Sequence, residues 1–390
     1  MPHGRSCRAP LFAVALAVAA FAAAPSIASA QCPEGAQCAT VTVPLNHADP
    51  SAGTLPLAYA KVPATGTRTG TIVLLSGGPG QSAVDLTRAT TELLDDVRDS
   101  YDIVTVDQRG TGDSGAVKCD TSASECATAL GARRAFYNTP ETAHDLEDLR
   151  RALGVEKLTL LGVSYGAKVA GEYARRYPAQ TAGLILDSPA PVDGLDGYDQ
   201  LRTLGAPRVL REVCFPGLCH QTVRDPDAAL EAAAERLQAG AVRGPLVDRF
   251  GRVKTTAVRE RDLYAALSAS DLDPYLRAGL PAAIASLAEG DAAPLLHLTA
   301  VVPSDESDGG AINAARLLAT SCIEGRLPWA PDSPVASRED ALAAFVAERA
   351  ASFAPFSAKT VTGSALTALC AEWPPTPRPE RTSTGTFGPA

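Results

Sequence analysis

Between residues 40 and 190 the apolar positions fall into short runs that end in glycine, serine or aspartate. Thr40-Val41-Thr42-Val43 and Leu55 to Val62 read as strands, separated by a turn rich in Pro, Asn, Asp and Gly that starts at Pro44. Thr71-Ile72-Val73-Leu74-Leu75 is apolar without a break, as expected of a strand covered on both faces. Ile103-Val104-Thr105-Val106, residues 157–163 and residues 183–186 are further runs of strand length. Helical stretches lie between them, near 83–97 and 166–177. Another opens at Thr139-Pro140, a hydroxyl cap with proline in the first turn, carries Leu146, Leu149 and Leu153 on one face and stops at Gly154. Strands and helices alternating in this way specify an α/β fold, a mostly parallel sheet with crossover helices on its faces.

From about residue 190 the texture changes. Alanine-rich helical segments dominate, at 227–238, 259–269, 280–288, 310–320 and 338–352, with short Gly/Pro loops between them. The expected organisation is a core over 31–190, a helical cap inserted over 191–370 and a linker-like tail over 371–390, rich in Pro, Thr and Gly. No internal repeat is visible.

Composition narrows the setting. With 46% apolar residues in 390, the chain can bury a sizeable core. Residues 1–30 have the layout of a secretory signal: Arg5 and Arg8, an apolar region from Leu11 to Ala24, and Ala28-Ser29-Ala30 as a small-residue cleavage site. Gln31 stands just before Cys32, where a lipoprotein signal wants a small residue, and no later segment is long and apolar enough to span a bilayer. The expectation is a secreted, periplasmic or cell-envelope protein without a stable membrane anchor. A net charge of −9 leaves no electrostatic footprint for nucleic acid.

Outside the signal there are eight cysteines. Three close pairs suggest themselves, Cys32–Cys38, Cys119–Cys126 and Cys214–Cys219, which would leave Cys322–Cys370 to close a long loop; spacing alone does not prove this connectivity. Metal binding is the rival reading. It is weak, because CxxC spacing is absent and only His220 lies near a pair. No metal and no cofactor are expected.

The chemistry centres on Gly162-Val163-Ser164-Tyr165-Gly166. A buried-type strand precedes it and a helix follows. That is the context in which a G-x-S-x-G bend exposes a serine oxygen as a nucleophile, the glycines giving room for a strained backbone. The bend places the Tyr165 amide at a helix N-terminus, as one donor for an oxyanion. The second donor is expected from Ser76-Gly77-Gly78-Pro79-Gly80, after the third strand. Pro79 has no N–H, so Gly78 is the candidate. A phosphate-cradling loop lacks the lysine and spacing it needs here. The charges of Asp107-Gln108-Arg109-Gly110-Thr111-Gly112-Asp113-Ser114 are expected to brace loops rather than react.

The combination "GGPG", "DQRGTGDS" and "NTPETAHDLEDLRRALGVEKLTLLGVSYG" resembles the prolyl and tripeptidyl aminopeptidase family of serine α/β-hydrolases, from about residue 38 to 190. "SCIEGRLPW" and "CAEWP" are similar to the paired-cysteine segments of its secreted tripeptidyl-aminopeptidase branch. Ser76 departs from the pattern, standing where prolyl aminopeptidases usually carry histidine. The resemblance implies an α/β-hydrolase sheet with a helical cap that holds the free N-terminus of a peptide substrate, often through acidic side chains. Glu324 is a candidate for that contact; its alternative is a solvated carboxylate at a helix end.

A serine nucleophile needs a base, and the base an orienting carboxylate, in the chain order Ser, acid, His. Only His220, in a tight cysteine loop, and His297, in an apolar helical context, follow Ser164, and neither has the required setting. His47 and His144 precede it, with His144 expected to be solvated on the polar side of its helix. Asp187, after the next strand, is a weak candidate for the acid. No strand of the form apolar run–Gly–x–x–Asp and no "GH" loop follow Cys370. The expectation is therefore a chain that lacks the last strands of its sheet, with the acid and base beyond residue 390. The leading reading is an exported serine hydrolase that cleaves short N-terminal units from peptides through an acyl-enzyme at Ser164. An esterase or lipase on the same scaffold is the rival enzyme, and an inert peptide-binding relic the rival from another class.

Overall fold

The computed structural model describes residues 32–119, 122–191, 197, 200–247, 250–301, 312–364 and 366–379. The expected signal segment and the end of the expected tail lie outside these residues. The first half of the chain runs β1 (Gln37–Pro44), β2 (Thr54–Val62), β3 (Gly70–Leu75), α1 (Thr87–Leu93), β4 (Tyr101–Val106), α2 (Ala123–Leu130), α3 (Thr139–Leu153), β5 (Leu158–Val163), α4 (Tyr165–Arg176) and β6 (Thr181–Asp187). Its strands form one sheet in the order β1-β2-β4-β3-β5-β6. The β4, β3, β5 and β6 strands are mutually parallel, and the β1–β2 hairpin pairs antiparallel with β4.

Alternation along β3 and β4 divides the core into two layers. Val73, Leu75, Val104 and Val106 point to one face, where they pack with Ala143, Leu146 and Leu149 of α3 and Val169, Ala170 and Tyr173 of α4. Ile72, Leu74 and Ile103 point to the other, against Ala83, Leu86 and Leu94 around α1. The single helical stretch expected near 83–97 is broken into α1 and two flanking 3-10 turns. Helix α3 begins one residue earlier than a Thr139 cap implies. Asn138 is the N-cap, its side chain accepting from Glu141 N–H, with Thr139-Pro140 as the first helical residues. β6 borders the sheet among the described residues, and Ile185 and Leu186 on it are 45% and 42% exposed.

The second half runs α5 (Gln200–Val213), α6 (Pro226–Ala239), β7 (Val242–Val247), β8 (Val253–Val258), α7 (Glu260–Ala269), α8 (Pro274–Ala288), α9 (Ala293–Val301), α10 (Ala314–Glu324), α11 (Arg338–Glu348), α12 (Ala358–Ser364) and α13 (Leu366–Cys370). Helices α5 to α9 share a core of their own with Phe353, Phe356 and Val361. The β7–β8 hairpin is a departure from the all-helical cap that the alanine content suggested. Residues 242–258 hold Pro245 and two glycines, which suit a short hairpin better than a helix. Helix α10 packs back against α2, and its Ala315, Leu318 and Ala319 form a further cluster with Leu130, Tyr137, Trp329 and Trp373. The four disulfides Cys32–Cys38, Cys119–Cys126, Cys214–Cys219 and Cys322–Cys370 are formed, the last joining α10 to α13.

Candidate active site

The bend between β5 and α4 holds Ser164 at φ 54° and ψ −115°, a left-handed conformation that a serine adopts only under constraint. The constraint comes from its neighbours. A Cβ added to Gly166 would lie 2.0 Å from the Leu75 carbonyl oxygen of β3, and one on Gly162 would lie 2.5 Å from Ala167 Cα. Both flanking positions are thus closed to any side chain, because strand and helix approach until their backbones touch. Main-chain bonds pin Ser164 from the other side: its N–H donates to Asp187 O at 2.9 Å, and its carbonyl accepts from Ala167 and Ala190, each at 3.1 Å. Ser164 is half-buried, and its Oγ has no hydrogen-bond partner among the described residues.

Gly77 is the residue of the preceding loop that faces the serine: a Cβ on it would lie 3.1 Å from Ser164 Cβ and 3.6 Å from Oγ. Gly78 comes next, at φ +101°, where an added Cβ would strike Gly80 N at 2.7 Å. Ser76, at the start of this loop, is buried; its hydroxyl donates to Gln81 O at 2.6 Å and its carbonyl accepts from Gln108 Nε2 at 2.8 Å. Tyr165 is the first residue of α4, so its N–H has no acceptor within the helix and sits at the positive end of the helix dipole. The Tyr165 phenol is fully buried, which pushes its pKa up to about 12, and it is hydrogen-bonded with Thr139 Oγ1 at 3.0 Å.

The Asp107–Ser114 loop braces the site. Asp107 is buried, and its carboxylate accepts from Ser82 Oγ and from the N–H groups of Ala83, Val84 and Asp113, at 2.8 to 3.1 Å. Burial nonetheless raises its pKa against those bonds. Arg109 is fully buried. It grips both Asp145 oxygens at 2.7 Å and donates to the carbonyls of Pro44, Leu45 and Phe136, tying the β1–β2 turn and the approach to α3 to one guanidinium.

Glu324 is not where a substrate contact would need it. Its Oε2 accepts from Lys168 Nζ at 2.8 Å and from Thr139 Oγ1 at 2.6 Å, and its Oε1 accepts from the Thr139 N–H at 2.5 Å. With 9% of its side chain exposed, it is neither open to a peptide amine nor solvated. It is an internal pair that ties α10 to α3 and α4, and the expectation of an N-terminus contact is corrected accordingly. Asp187 is exposed, accepts from Ser188 Oγ at 2.8 Å, and meets no histidine among the described residues.

No described histidine bonds to Ser164. His220 and His297 are exposed. His144 is not simply solvated: it is half-buried, bonded through Nδ1 to Tyr177 Oη at 2.5 Å and stacked on His47 at 5.0 Å between ring centroids. His47 is the centre of a network that the sequence pattern did not announce. Nδ1 meets Glu141 Oε2 at 2.6 Å, Nε2 meets Asp148 Oδ2 at 3.2 Å, and Asp145 lies 3.7 Å away. Burial works against the charged imidazole, but bonds to Asp148 and Glu141 and the charge of Asp145 outweigh it and lift the pKa to about 9. The only sequence signal was acids at 141, 145 and 148, one helical face of α3.

Comparison with known proteins places this geometry. Residues 70–212, from β3 through α5, match the family model described as the alpha/beta hydrolase fold. The chain is 30% identical over 187 residues to serine protease Hip1 of Mycobacterium tuberculosis, an overlap covering 40% of this chain and 36% of that protein. It is 30% identical over 191 residues to a tripeptidyl aminopeptidase of Streptomyces lividans, covering 40% and 36% of the two chains. The overlap thus spans little more than a third of the length of these curated relatives. Among solved structures, a proline iminopeptidase-related protein of Thermus thermophilus aligns over 45% of this chain and 50% of its own, at 27% identity and a TM-score of 0.29.

Proposed function

We propose that this chain, which has the α/β-hydrolase fold and is a hydrolase of serine type, carries the nucleophile of an exported peptidase that releases short N-terminal units from peptides. One observation carries the reading above the rest. Ser164 is forced to φ 54° by backbone contact on both sides, and its hydroxyl is left without a partner. A protein maintains such a conformation at a cost of about 1–3 kcal/mol, which is typical of a residue whose oxygen must point at a ligand.

In this reading Ser164 Oγ attacks the carbonyl carbon of the scissile peptide bond and forms an ester with the N-terminal unit. The oxyanion that develops is met by the Tyr165 N–H, backed by the α4 dipole, and by the Gly78 N–H. Proton transfer from Oγ and on to the leaving amine needs a base and its carboxylate, and no described histidine is bonded to Ser164. The relatives named as a serine protease and a tripeptidyl aminopeptidase support a peptide substrate, and a relative named carboxylesterase B keeps an ester as the second reading. The four disulfides support export to an oxidising compartment.

The test uses the full product of the gene. A fluorophosphonate should label it, and should not label Ser164→Ala. Peptidyl anilides with a free amine should then be cleaved, and their N-acetylated forms spared. Labelling without any cleavage of anilides, alongside turnover of small esters, would move the assignment to an esterase. Absence of labelling would leave an inert relic.

A further inference from the structure

Helix α10 carries polar residues on one face: Asn313 at the N-cap, then Arg316, Thr320 and Glu324, spaced by three, four and four. On a helix of an inserted cap such a stripe would ordinarily meet water. Here Arg316, Thr320 and the Glu324 side chain are buried, and all four residues bond to the core. The Asn313 N–H donates to Gly80 O at 2.9 Å, and its Nδ2 donates to Val117 O at 3.0 Å. A Cβ on Gly80 would lie 2.7 Å from Asn313 O, so the helix start presses directly on the loop that carries Gly77 and Gly78.

One turn on, Arg316 is 1% exposed. Its Nη2 donates to Thr142 Oγ1 at 3.0 Å and to Tyr165 Oη at 3.2 Å, and its guanidinium carbon lies 5.8 Å from the Tyr165 ring centroid. No carboxylate pairs with it among the described residues, and Nε and Nη1 are unbonded. An unpaired buried cation is unfavourable for stability alone, and an apolar side chain of the same size would pack the cap more cheaply. Its partners show what the charge is used for: it grips the side chain of the residue whose amide heads α4.

We propose that α10 is the strut of the oxyanion hole. Asn313 fixes the Gly77–Gly80 loop and Arg316 fixes Tyr165, so two donors from separate strand ends are held at one spacing by two residues one turn apart on a single helix. Asn313 and Arg316 are thereby positioning residues for the reaction at Ser164, acting through the main chain of the loop and of Tyr165. The inference rests on the reading of Ser164 as a nucleophile. It adds that a helix of the second half is part of the geometry at Ser164.

The experiment measures the rate of fluorophosphonate labelling, and kcat and KM on a cleaved substrate, for Arg316→Met, Arg316→Lys, Asn313→Ala, Tyr165→Phe and Thr320→Val. Thr320 is the internal control: its hydroxyl donates to Tyr137 O at 2.8 Å in the same seam but touches neither donor residue. Arg316→Met should lose about tenfold to a hundredfold in labelling rate and kcat, with KM within about twofold, as expected when donors shift by a fraction of an ångström; Asn313→Ala keeps the N–H that Gly80 O accepts and removes the Val117 bond and the helix cap, so it should show a smaller loss in the same parameters. Arg316→Lys should recover part of the loss, and Thr320→Val should stay within about threefold of the parent. Tyr165→Phe keeps the ring but loses both phenol bonds, and decides the matter if Arg316→Met does not fold. Folded variants at parental rates would overturn the inference, as would equal losses in all variants including Thr320→Val. If the parent itself does not label, the nucleophile reading falls and this inference with it. If the parent labels and Ser164→Ala does not, that reading stands and the variants alone decide.

Discussion

Lys168 of α4 and Glu324 of α10 meet at 2.8 Å, with only 4% and 9% of their side chains exposed. The pair joins the helix that starts at the elbow to a helix of the second half of the chain. Removing one partner leaves the other charged and enclosed, which typically costs about 3–5 kcal/mol. Glu324→Ala also strips the cap from the Thr139 N–H. Its urea midpoint should fall by that order, and Lys168→Met, Glu324→Leu together should recover much of the loss. Selectivity for peptides with a free amine should not change in any variant that folds, because the carboxylate is already engaged inside the protein.

Gly166→Ala should be among the most damaging small substitutions in the chain. The new methyl would sit 2.0 Å from a carbonyl oxygen of β3, so strand and helix must part. Gly154→Ala is the comparison. Gly154 ends α3 at φ +65° with nothing within 4 Å of an added Cβ, so only the backbone conformation resists, at about 1 kcal/mol. Chemical denaturation should show Gly154→Ala folded with a modest shift. Gly166→Ala should be unfolded or shifted by several times as much.

Arg109→Lys should behave as a disruptive change. A lysine can make one strong bond where the guanidinium makes two to Asp145 and three to carbonyls, and all of these are enclosed. A loss of about 3 kcal/mol or more is expected from thermal or urea unfolding. Arg88→Lys, at an exposed pair with Glu92, should leave the unfolding transition where the parent has it.

His47 gives the protein a pH response in a defined direction. Its pKa is about 9 in the folded chain against 6.5 for a free imidazole. A group raised on folding adds stability that is complete below the lower value and disappears as pH climbs through the higher one. Unfolding free energy should therefore decline between about pH 6.5 and pH 9, by up to about 3 kcal/mol from this group. His47→Gln should flatten that slope. The groups facing it are Glu141, Asp145, Asp148, Arg109 and His144.

The Cys322–Cys370 bond closes a loop with a separation of 48 residues. Loop-closure entropy puts its contribution at about 4 kcal/mol, more than any of the three short bridges can give. Cys322→Ala, Cys370→Ala should lower the melting temperature more than Cys214→Ala, Cys219→Ala. Because the bond anchors α10, it should also lower the fluorophosphonate labelling rate more than the shorter bridge does.

The sheet was legible because each of its strands is a local signal: an apolar run with a defined end. The elbow was legible for the same reason, since glycine, serine and glycine sit where a strand meets a helix. The cap was read as helical throughout and the β7–β8 hairpin was missed, because alanine on both sides outweighs a short alternation around Gly251. Glu324, Arg316 and His144 were hardest to place. A polar stripe on one helix face looks the same in sequence whether it meets water or a layer of buried hydroxyls and carbonyls. What distinguishes the cases is the partner surface, which for Glu324 and Arg316 comes from segments more than a hundred residues away and for His144 from His47 and Tyr177. His47 illustrates the same limit, because its two carboxylates belong to a helix that begins some ninety positions later.

The border strand of the sheet carries a practical consequence. Along β6 the outward-facing amides and carbonyls have no neighbour among the described residues, and Ile185 and Leu186 beside them are close to half exposed. A flat greasy ledge of this kind is a template on which another polypeptide can zip itself. Preparations of these residues alone should therefore turn sticky with concentration, scattering light in proportion to how much of that ledge is left bare, and a charged residue in place of Ile185 should keep them clear.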